Sequence, residues 1–399
     1  MPALAPTSAA PLRVAVVTES FLPQVNGVTN SVCRVVEHLA ATGHQAVVIA
    51  PGRGPVRYAG FPVLRLPGVS LPGYRSFSVG LPALRLMTAA LRAFSPDVVH
   101  LASPVLLGHA AVEAARRWAL PTVAVFQTDL AGFARRYGLP ADRVLWPWLH
   151  RIHAAVDRTL VPSAPTLRML AERGFPRLHR WPRGVDGERF NPAHRDEELR
   201  RRIAPRGQVI VGYVGRLARD KRVALLSHLR QLRGVRLVVV GDGPERARLR
   251  RGLPEAVFTG QLTGARLSRI YASLDVFVHT GADETFCQAV QEALASGVPV
   301  VAPAAGGPLD LVRDGENGLL YDPRSVRELR AAVGRLVHNP GLRSRLAAAA
   351  RPSVQGRSWR AVNELLVGHY LEVTASSAGL VGRSGPWTAR SGREGVALR

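Results

Sequence analysis

Lysine is almost missing from this chain: of its 53 strongly basic side chains, 52 are arginine and one is Lys221. Cysteine is nearly as scarce. Cys33 and Cys287 lie far apart, and neither belongs to a metal-ligand or redox spacing, which points to buried thiols in a reducing cytoplasm. No apolar run approaches the roughly 18 residues that a membrane-spanning helix needs. Residues 1–11 are rich in Ala and Pro but lack a basic start and a long apolar stretch, so they do not read as a signal peptide. Zinc-finger spacings and aromatic RNA-binding signatures are absent too. So is the Gly-x-Gly-x-x-Gly fingerprint of dinucleotide enzymes in a strand–helix setting.

Acidic residues are also short, 29 against 53 bases, and the net charge of +24 asks for an anionic partner. A nucleic acid, an anionic membrane surface and a phosphorylated substrate are the three candidates, and the missing RNA and zinc signatures make nucleic acid the weakest. Codon bias towards arginine explains the Arg/Lys ratio but not the excess of bases. With 47% apolar and 21% charged residues the chain is a globular protein, and 399 residues make two domains of ordinary size.

The pattern along the chain repeats once. Arg13–Thr18, Gln45–Ala50, Asp97–Leu101, Thr122–Phe126 and Arg158–Val161 are apolar runs of strand length, separated by helical stretches such as Gly27–Thr42, Leu84–Phe94 and Val105–Trp118. After the turn-rich segment Arg180–Asp186 the alternation restarts. Its runs are Val209–Val214, Leu237–Gly241, Val257–Thr259, Asp275–His279, Val298–Ala302 and Gly318–Leu320, with helices expected over Glu245–Arg251, Ala265–Ser273, Thr285–Ser296 and Ser325–His338. Short continuous apolar strands between helices mean parallel sheets buried on both faces. The expectation is an α/β protein of two doubly wound, Rossmann-like domains, 13–184 and 185–357, facing a central cleft. A helix over 358–373 crosses back to the first domain, and residues 1–12 and 374–399 are expected to be disordered.

Ligands of such sheets sit beyond the carboxyl ends of the strands, and the informative residues fall there. Gly215, Arg216 and Lys221 follow one strand. Arginine can fork two phosphate oxygens and lysine adds a compact charge, so together they can neutralise a diphosphate leaving group where no Asp-x-Asp metal motif exists. Glu284 and Glu292 follow another strand, eight residues and about 12 Å apart on a helix. One carboxylate would then bind sugar hydroxyls at the helix entrance, near the amides of Thr285, Phe286 and Cys287, and the deeper one a ribose diol. Solvated loop bases and a plain helix face are the competing readings.

In the first domain, Gly27 opens a helix after the loop Glu19–Asn26 and admits a phosphate or sugar close to the backbone. Gln127 and Asp129 can bind an acceptor hydroxyl or the transferred sugar, although Thr128 or Asp129 can equally cap a helix. Gly306-Gly307-Pro308 reads as a helix start, and His100 and His109 as structural. Tyr74–Phe94 carries an apolar stripe flanked by Arg75, Arg85 and Arg92, which suits either an anionic lipid surface or packing on its own sheet.

With Gly215-Arg216 and Lys221, Gly241-Asp242-Gly243-Pro244-Glu245 and Glu284-x7-Glu292 in this order, residues 13–373 resemble glycosyltransferase family 4 of the GT-B fold. The loop Glu19–Val28, Phe126-Gln127-Thr128-Asp129 and Gly132-Phe133 are similar to the actinobacterial GDP-mannose-dependent α-mannosyltransferases that build glycolipids. The resemblance implies retention of anomeric configuration, no metal and no cofactor beyond the nucleotide-sugar donor, expected to be GDP-mannose. It also implies Arg216 and Lys221 on the diphosphate, Glu284 on the sugar, Glu292 on the ribose and Gly27 at the donor phosphates. Many relatives carry histidine where this chain has Gln127, and glutamine cannot shuttle a proton. The leaving phosphate can then take the acceptor's proton itself. The expected partners are a nucleotide sugar and a lipid or glycolipid acceptor, with peripheral contact to an anionic membrane at the inner face of the plasma membrane and no nucleic acid. UDP- or ADP-glucose as donor, an epimerase or hydrolase on the same architecture, and a non-catalytic binding protein are the alternatives.

Overall fold

The computed structural model describes residues 10–24, 26–71, 74–81, 83–136 and 142–381; the side chains of 69–79, of Phe133, Arg135 and Arg136, and of 378–381 are not part of that description. The first sheet contains β1 (Arg13–Thr18), β2 (Gln45–Pro51), β3 (Arg57–Tyr58) and β4 (Phe61–Leu66). A separate hairpin pairs β5 (Gly68–Leu71) with β6 (Tyr74–Gly80). The first sheet continues with β7 (Val98–Ala102), β8 (Thr122–Val125), β9 (Arg158–Val161) and β10 (Leu178–Arg180), and its order is β10-β9-β8-β7-β1-β2-β4-β3. All its pairings are parallel except β3 with β4.

The second sheet holds β11 (Val209–Val214), β12 (Val235–Val240), β13 (Val257–Gly260), β14 (Val276–Val278), β15 (Val300–Pro303) and β16 (Gly318–Tyr321), in the order β13-β12-β11-β14-β15-β16. Every pairing is parallel. Counted within the domain this is 3-2-1-4-5-6, so the order reverses between β11 and β14, where an open α/β sheet forms its ligand crevice. In the first sheet the reversal lies between β1 and β7. Val-rich strands sandwiched between helices give each sheet a core on both faces: Val14, Val16, Val48 and Val98 pack on one side of the first, Ala15, Val17, Ile49 and Leu101 on the other.

The last helix, Trp359–Val381, joins the first domain's core through Val362, Leu366, Tyr370 and Val373. Trp181 Nε1 donates to Val362 O at 2.8 Å, and Tyr370 Oη lies 2.8 Å from His100 Nδ1. Burial pushes His100 down to about 3, so it is a neutral core histidine. This helix corrects the expectation of disorder from 374 onward: the described chain stays helical to Val381, because contacts upstream hold a helix that polar composition alone does not forbid. Residues 1–9 and 382–399 lie outside the described residues, as do the side chains of Tyr74, Arg75 and Phe77.

The expected amphipathic stretch 74–94 divides into strand β6 and the helix Leu84–Phe94, which buries Met87 and Leu91 and leaves Leu86 exposed. Among the described residues no helix is long and apolar enough to cross a membrane. Cys33 and Cys287 are free and buried.

Candidate functional site

Strand β11 ends at Val214, and the chain turns through Gly215 and Arg216. Gly241, just past β12, has φ 134°, and a Cβ there would stand 1.9 Å from the Gly215 carbonyl oxygen. Only glycine lets these two loops touch. Backbone bonds then lace them together: Leu217 N donates to Asp242 O at 2.9 Å and Glu245 N to Leu217 O at 3.0 Å. Gly241–Glu245 is therefore a buttress that sets the position of Arg216.

Lys221 ends the 3-10 turn Arg219–Lys221, and Thr280 Oγ1 donates to its carbonyl at 2.6 Å. Its Nζ lies 2.6 Å from Glu284 Oε1, and His279 Nε2 is 3.3 Å from the same oxygen. Burial alone would raise the Glu284 carboxyl, but the Lys221 ammonium and the His279 ring outweigh it and hold it well below the usual carboxylate range. His279 shows the mirror image. Burial disfavours its charge, yet Cys287 and Glu284 beside it drive its pKa upward. Lys221 is likewise opposed by burial and still moves up, because Glu284 pairs with it. Arg216 Nη2 reaches both oxygens of buried Asp220, at 2.8 and 3.0 Å. Two carboxylates thus organise two cations and a histidine at the switch point of the second sheet. Ligand atoms of His279, Glu284 and Cys287 lie within 4.8 Å of one another, a spacing a metal ion could use. The Lys221 ammonium, however, already occupies the shared oxygen.

The helix expected over 285–296 is Gln288–Ala295, so Glu284, Thr285, Phe286 and Cys287 form a bent entrance rather than its first turn. The reason lies in Cys287, whose φ of 84° is left-handed and cannot continue a helix. Gly306 and Gly307 press against this entrance. Gly307 N donates to Glu284 O at 2.7 Å, and a Cβ on Gly307 would stand 2.0 Å from Phe286 O. Gly306-Gly307-Pro308 is thus a clamp on the Glu284 loop as well as a 3-10 start. Phe286 and Cys287 are buried in the second domain's core. Thr285 faces the other domain: its Oγ1 donates to Gln127 O at 2.8 Å, and its own carbonyl accepts from Thr166 Oγ1 at 3.0 Å. Glu292 lies half-buried farther along the helix. Burial pushes its carboxyl up to about 7, against the opposing pull of Tyr271, Arg189 and Gln288.

Across the cleft, Asn26 caps the helix Gly27–Ala41, its Oδ1 accepting from Thr29 N at 2.9 Å, so Gly27 is the first helical residue. Asp129 Oδ1 accepts from Gly132 N at 2.8 Å, which makes it a cap of the helix Leu130–Arg136. Gln127 is 8% exposed and sits between this cap and Thr285. The structure therefore brings Lys221, Glu284, Thr285 and Gln127 into one contiguous set, with Arg216 and Asp220 alongside. Glu292 stands apart, deeper along its helix.

Three residues of this site escaped the sequence reading. His279 was visible only as the last residue of an apolar run, although strand ends are where ligands bind. Asp220 reads as one more loop acid until it is seen holding Arg216. Arg183 belongs to the turn-rich segment that closes the first domain, and no pattern marks it. It is 7% exposed, its Nη1 donates to Gly27 O at 2.9 Å, and its Nη2 donates to Gln127 Oε1.

A parallel-sheet pair with a charged crevice at the second switch point is the setting in which open α/β folds bind anionic ligands, although fold alone does not fix the function. Family comparison narrows it. Residues 25–189 match the model of glycosyltransferase family 4, and residues 194–352 that of the glycosyl transferases group 1. The chain is 53% identical over 367 residues to a GDP-mannose-dependent alpha-mannosyltransferase of Mycobacterium tuberculosis, spanning 90% of this chain and 96% of that protein. It is 47% identical to the protein of the same description from Corynebacterium glutamicum, over 92% of this chain and 90% of that one. Among solved structures, Anabaena Alr3699/HepE in complex with UDP superposes with a TM-score of 0.76 at 17% identity, covering 90% of this chain and all (100%) of that one, which supports the GT-B fold alone. The chain belongs to glycosyltransferase family 4 and is a glycosyltransferase of the GT-B fold.

Proposed function

We propose that this glycosyltransferase moves mannose from GDP-mannose to a lipid-linked or glycolipid acceptor at an anionic membrane surface, with retention at the anomeric carbon and without a metal ion. The observation that carries the donor assignment is the pair of relatives at 53% and 47% identity, both described as GDP-mannose-dependent alpha-mannosyltransferases. The site suits such a donor. Arg216 and Lys221 meet the diphosphate and stabilise the charge that grows on it as the glycosidic bond breaks, the work a divalent cation does elsewhere. Glu284 accepts hydrogen bonds from hydroxyls of the transferred sugar, and its depressed pKa keeps it an acceptor throughout. Glu292 accepts from the ribose diol, and the first helical amide, at Gly27, faces the donor phosphates from the opposite domain.

The acceptor side rests on surface chemistry. The +24 charge favours an anionic surface, and the helix Leu84–Phe94 exposes Leu86 between Arg85 and Arg92. Two buried thiols and the lack of a spanning helix among the described residues fit peripheral work on the cytoplasmic face.

The test is calorimetric titration with GDP, UDP and ADP without metal, followed by transfer from labelled GDP-mannose to lipid extract. Tightest binding of GDP and a labelled glycolipid product are expected. Preference for UDP or ADP would move the donor to a glucose-type sugar, and donor consumption without an acceptor would indicate a hydrolase or epimerase.

A further inference from the structure

Arg183 is a cation buried at the domain boundary with no carboxylate partner among the described residues. Its two Nη atoms donate to neutral oxygens, the Gly27 carbonyl and the Gln127 side-chain carbonyl, and burial pulls its pKa down to about 10. A buried guanidinium without a counter-ion is costly, so its burial calls for a reason beyond packing.

The reason lies in what it does to Gln127. Guanidinium can only donate, so the amide must turn its Oε1 towards Arg183 and its Nε2 away. On the backbone side, Thr285 Oγ1 donates to the Gln127 carbonyl oxygen and ties it next to Glu284. The Gln127 Nε2 makes no protein hydrogen bond among the described residues, and it is not among the sealed, unpartnered polar atoms. Gly27 belongs to the same assembly: a Cβ added there would stand 3.3 Å from Arg183 Nη1, so the guanidinium lies directly beneath the loop that opens the first helix. The backbone of Arg183 is held in turn, its carbonyl accepting from Gln291 Nε2 at 3.0 Å on the helix that carries Glu292.

We propose that Arg183 is a positioning residue that locks the Gln127 amide as a hydrogen-bond donor aimed at the reacting centre. This proposal rests on the transferase reading above and deepens it. Gln127 is then neither acid nor base. In the transfer step the bond from the anomeric carbon to the diphosphate oxygen breaks, the bond to the acceptor oxygen forms, and the acceptor's proton passes to the departing phosphate. Gln127 neither gains nor loses a proton; its N–H, polarised by the guanidinium behind it, bonds an oxygen of the bound donor that becomes more negative as the leaving group departs. The buried positive charge of Arg183 supports the same anion through the amide.

The decisive variant is Gln127→Glu. It keeps an oxygen for Arg183, now with opposite charge, and removes the N–H. With whichever nucleotide sugar the wild type turns over, we expect kcat to fall by roughly 10²–10³, donor KM to stay within about threefold, and the melting temperature to hold or rise because the buried cation gains a partner. Gln127→Glu within threefold of wild-type kcat overturns the proposal, as does a loss of turnover that only accompanies a lowered melting temperature. Arg183→Lys is the second variant. It keeps the charge but not the fork, and it is expected to lower kcat in the wild type yet add little in the Gln127→Glu background. Full additivity of the two overturns the coupling. A donor other than GDP-mannose would overturn the functional reading above and leave these comparisons intact.

Discussion

The two switch points of this molecule are built differently. In the second domain, charges meet charges: Lys221 on Glu284, His279 against the same oxygen, Arg216 on Asp220. In the first, polar side chains meet mainly backbone: Asn26 and the Asp129 carboxylate accept from helix amides, and Gln127 is gripped by Arg183 through its side chain and by Thr285 through its backbone carbonyl. The second arrangement suits an invariant, highly charged leaving group whose negative charge must be matched. The first suits the proposed acceptor, recognised by shape and hydroxyls, because its side chains are largely spent on their own fold. One cleft thus has an electrostatic wall and a hydrogen-bonding wall.

The largest expected effect breaks the electrostatic wall. Lys221→Met removes the only lysine and leaves Glu284 to His279. Turnover should fall by roughly 10²–10³ with circular dichroism unchanged, and losing Arg216 as well should abolish transfer. Near-normal turnover in the Arg216 and Lys221 double variant would refute the division of labour between the two walls.

Next come two glycines that sharpen the contrast. In Gly241→Ala, the new Cβ meets backbone, the Gly215 carbonyl at 1.9 Å, at a left-handed φ. The strain alone costs about 1–3 kcal/mol, and both melting temperature and GDP affinity should drop. In Gly132→Ala, the nearest atoms to the Cβ are those of the Asp129 carboxylate, at 2.1 Å to Oδ2, and that side chain can rotate away. The loss is then a helix cap, about 1 kcal/mol, without an effect on nucleotide binding. Equal effects on binding would erase the distinction between a loop that builds the donor site and one that builds only the fold.

A pH series distinguishes the two glutamates. Glu284 is held ionised by Lys221 and His279, whereas burial places Glu292 at about 7. In the proposed role the ribose hydroxyls bind the ionised carboxylate, so GDP affinity should be full above pH 7 and fall by up to about tenfold per unit below it. Glu292→Gln should flatten that dependence and weaken binding throughout. Stability carries the opposite sign. An acid whose pKa rises from 4.5 to about 7 on folding costs stability as pH climbs through that window. Glu292→Gln should therefore raise the melting temperature more at pH 8 than at pH 5.

The smallest effect belongs to the exposed face of the Leu84–Phe94 helix. Charge reversal at Arg85 and Arg92 should reduce sedimentation with anionic vesicles severalfold at low salt, since each base near such a surface is worth about 1 kcal/mol. Hydrolysis or transfer with a soluble acceptor should be untouched.

Much of this architecture is legible in linear order because parallel strands buried on both faces are written as uninterrupted Val, Ile and Ala runs. Where a strand mixes polar and turn residues, as in β4 with Pro62 and Arg65 or the short edge strand β10, nothing distinguishes it from a loop until its neighbour pairs with it. The same holds for the helix Asp142–Ala154, which carries Pro147 inside it. In the site, Arg216, Lys221, Glu284 and Glu292 stand out because their spacing follows strand ends. Arg183 and Asp220 do not, since a buried arginine and a surface one look alike in sequence.

Residue type and spacing alone determined the fold class and marked the charged residues at the strand ends, and the resemblance of those motifs pointed to the family, because local periodicity and short motifs are properties of contiguous chain. The sequence did not decide that the helix starts at Gln288, that Cys287 turns left-handed, that His279 shares an oxygen with Lys221, or that a buried guanidinium sets the direction of the Gln127 amide. Those follow from contacts between residues far apart in the chain, brought within hydrogen-bond reach by the winding of each sheet and, for Thr285 and Gln127, by the meeting of the two domains.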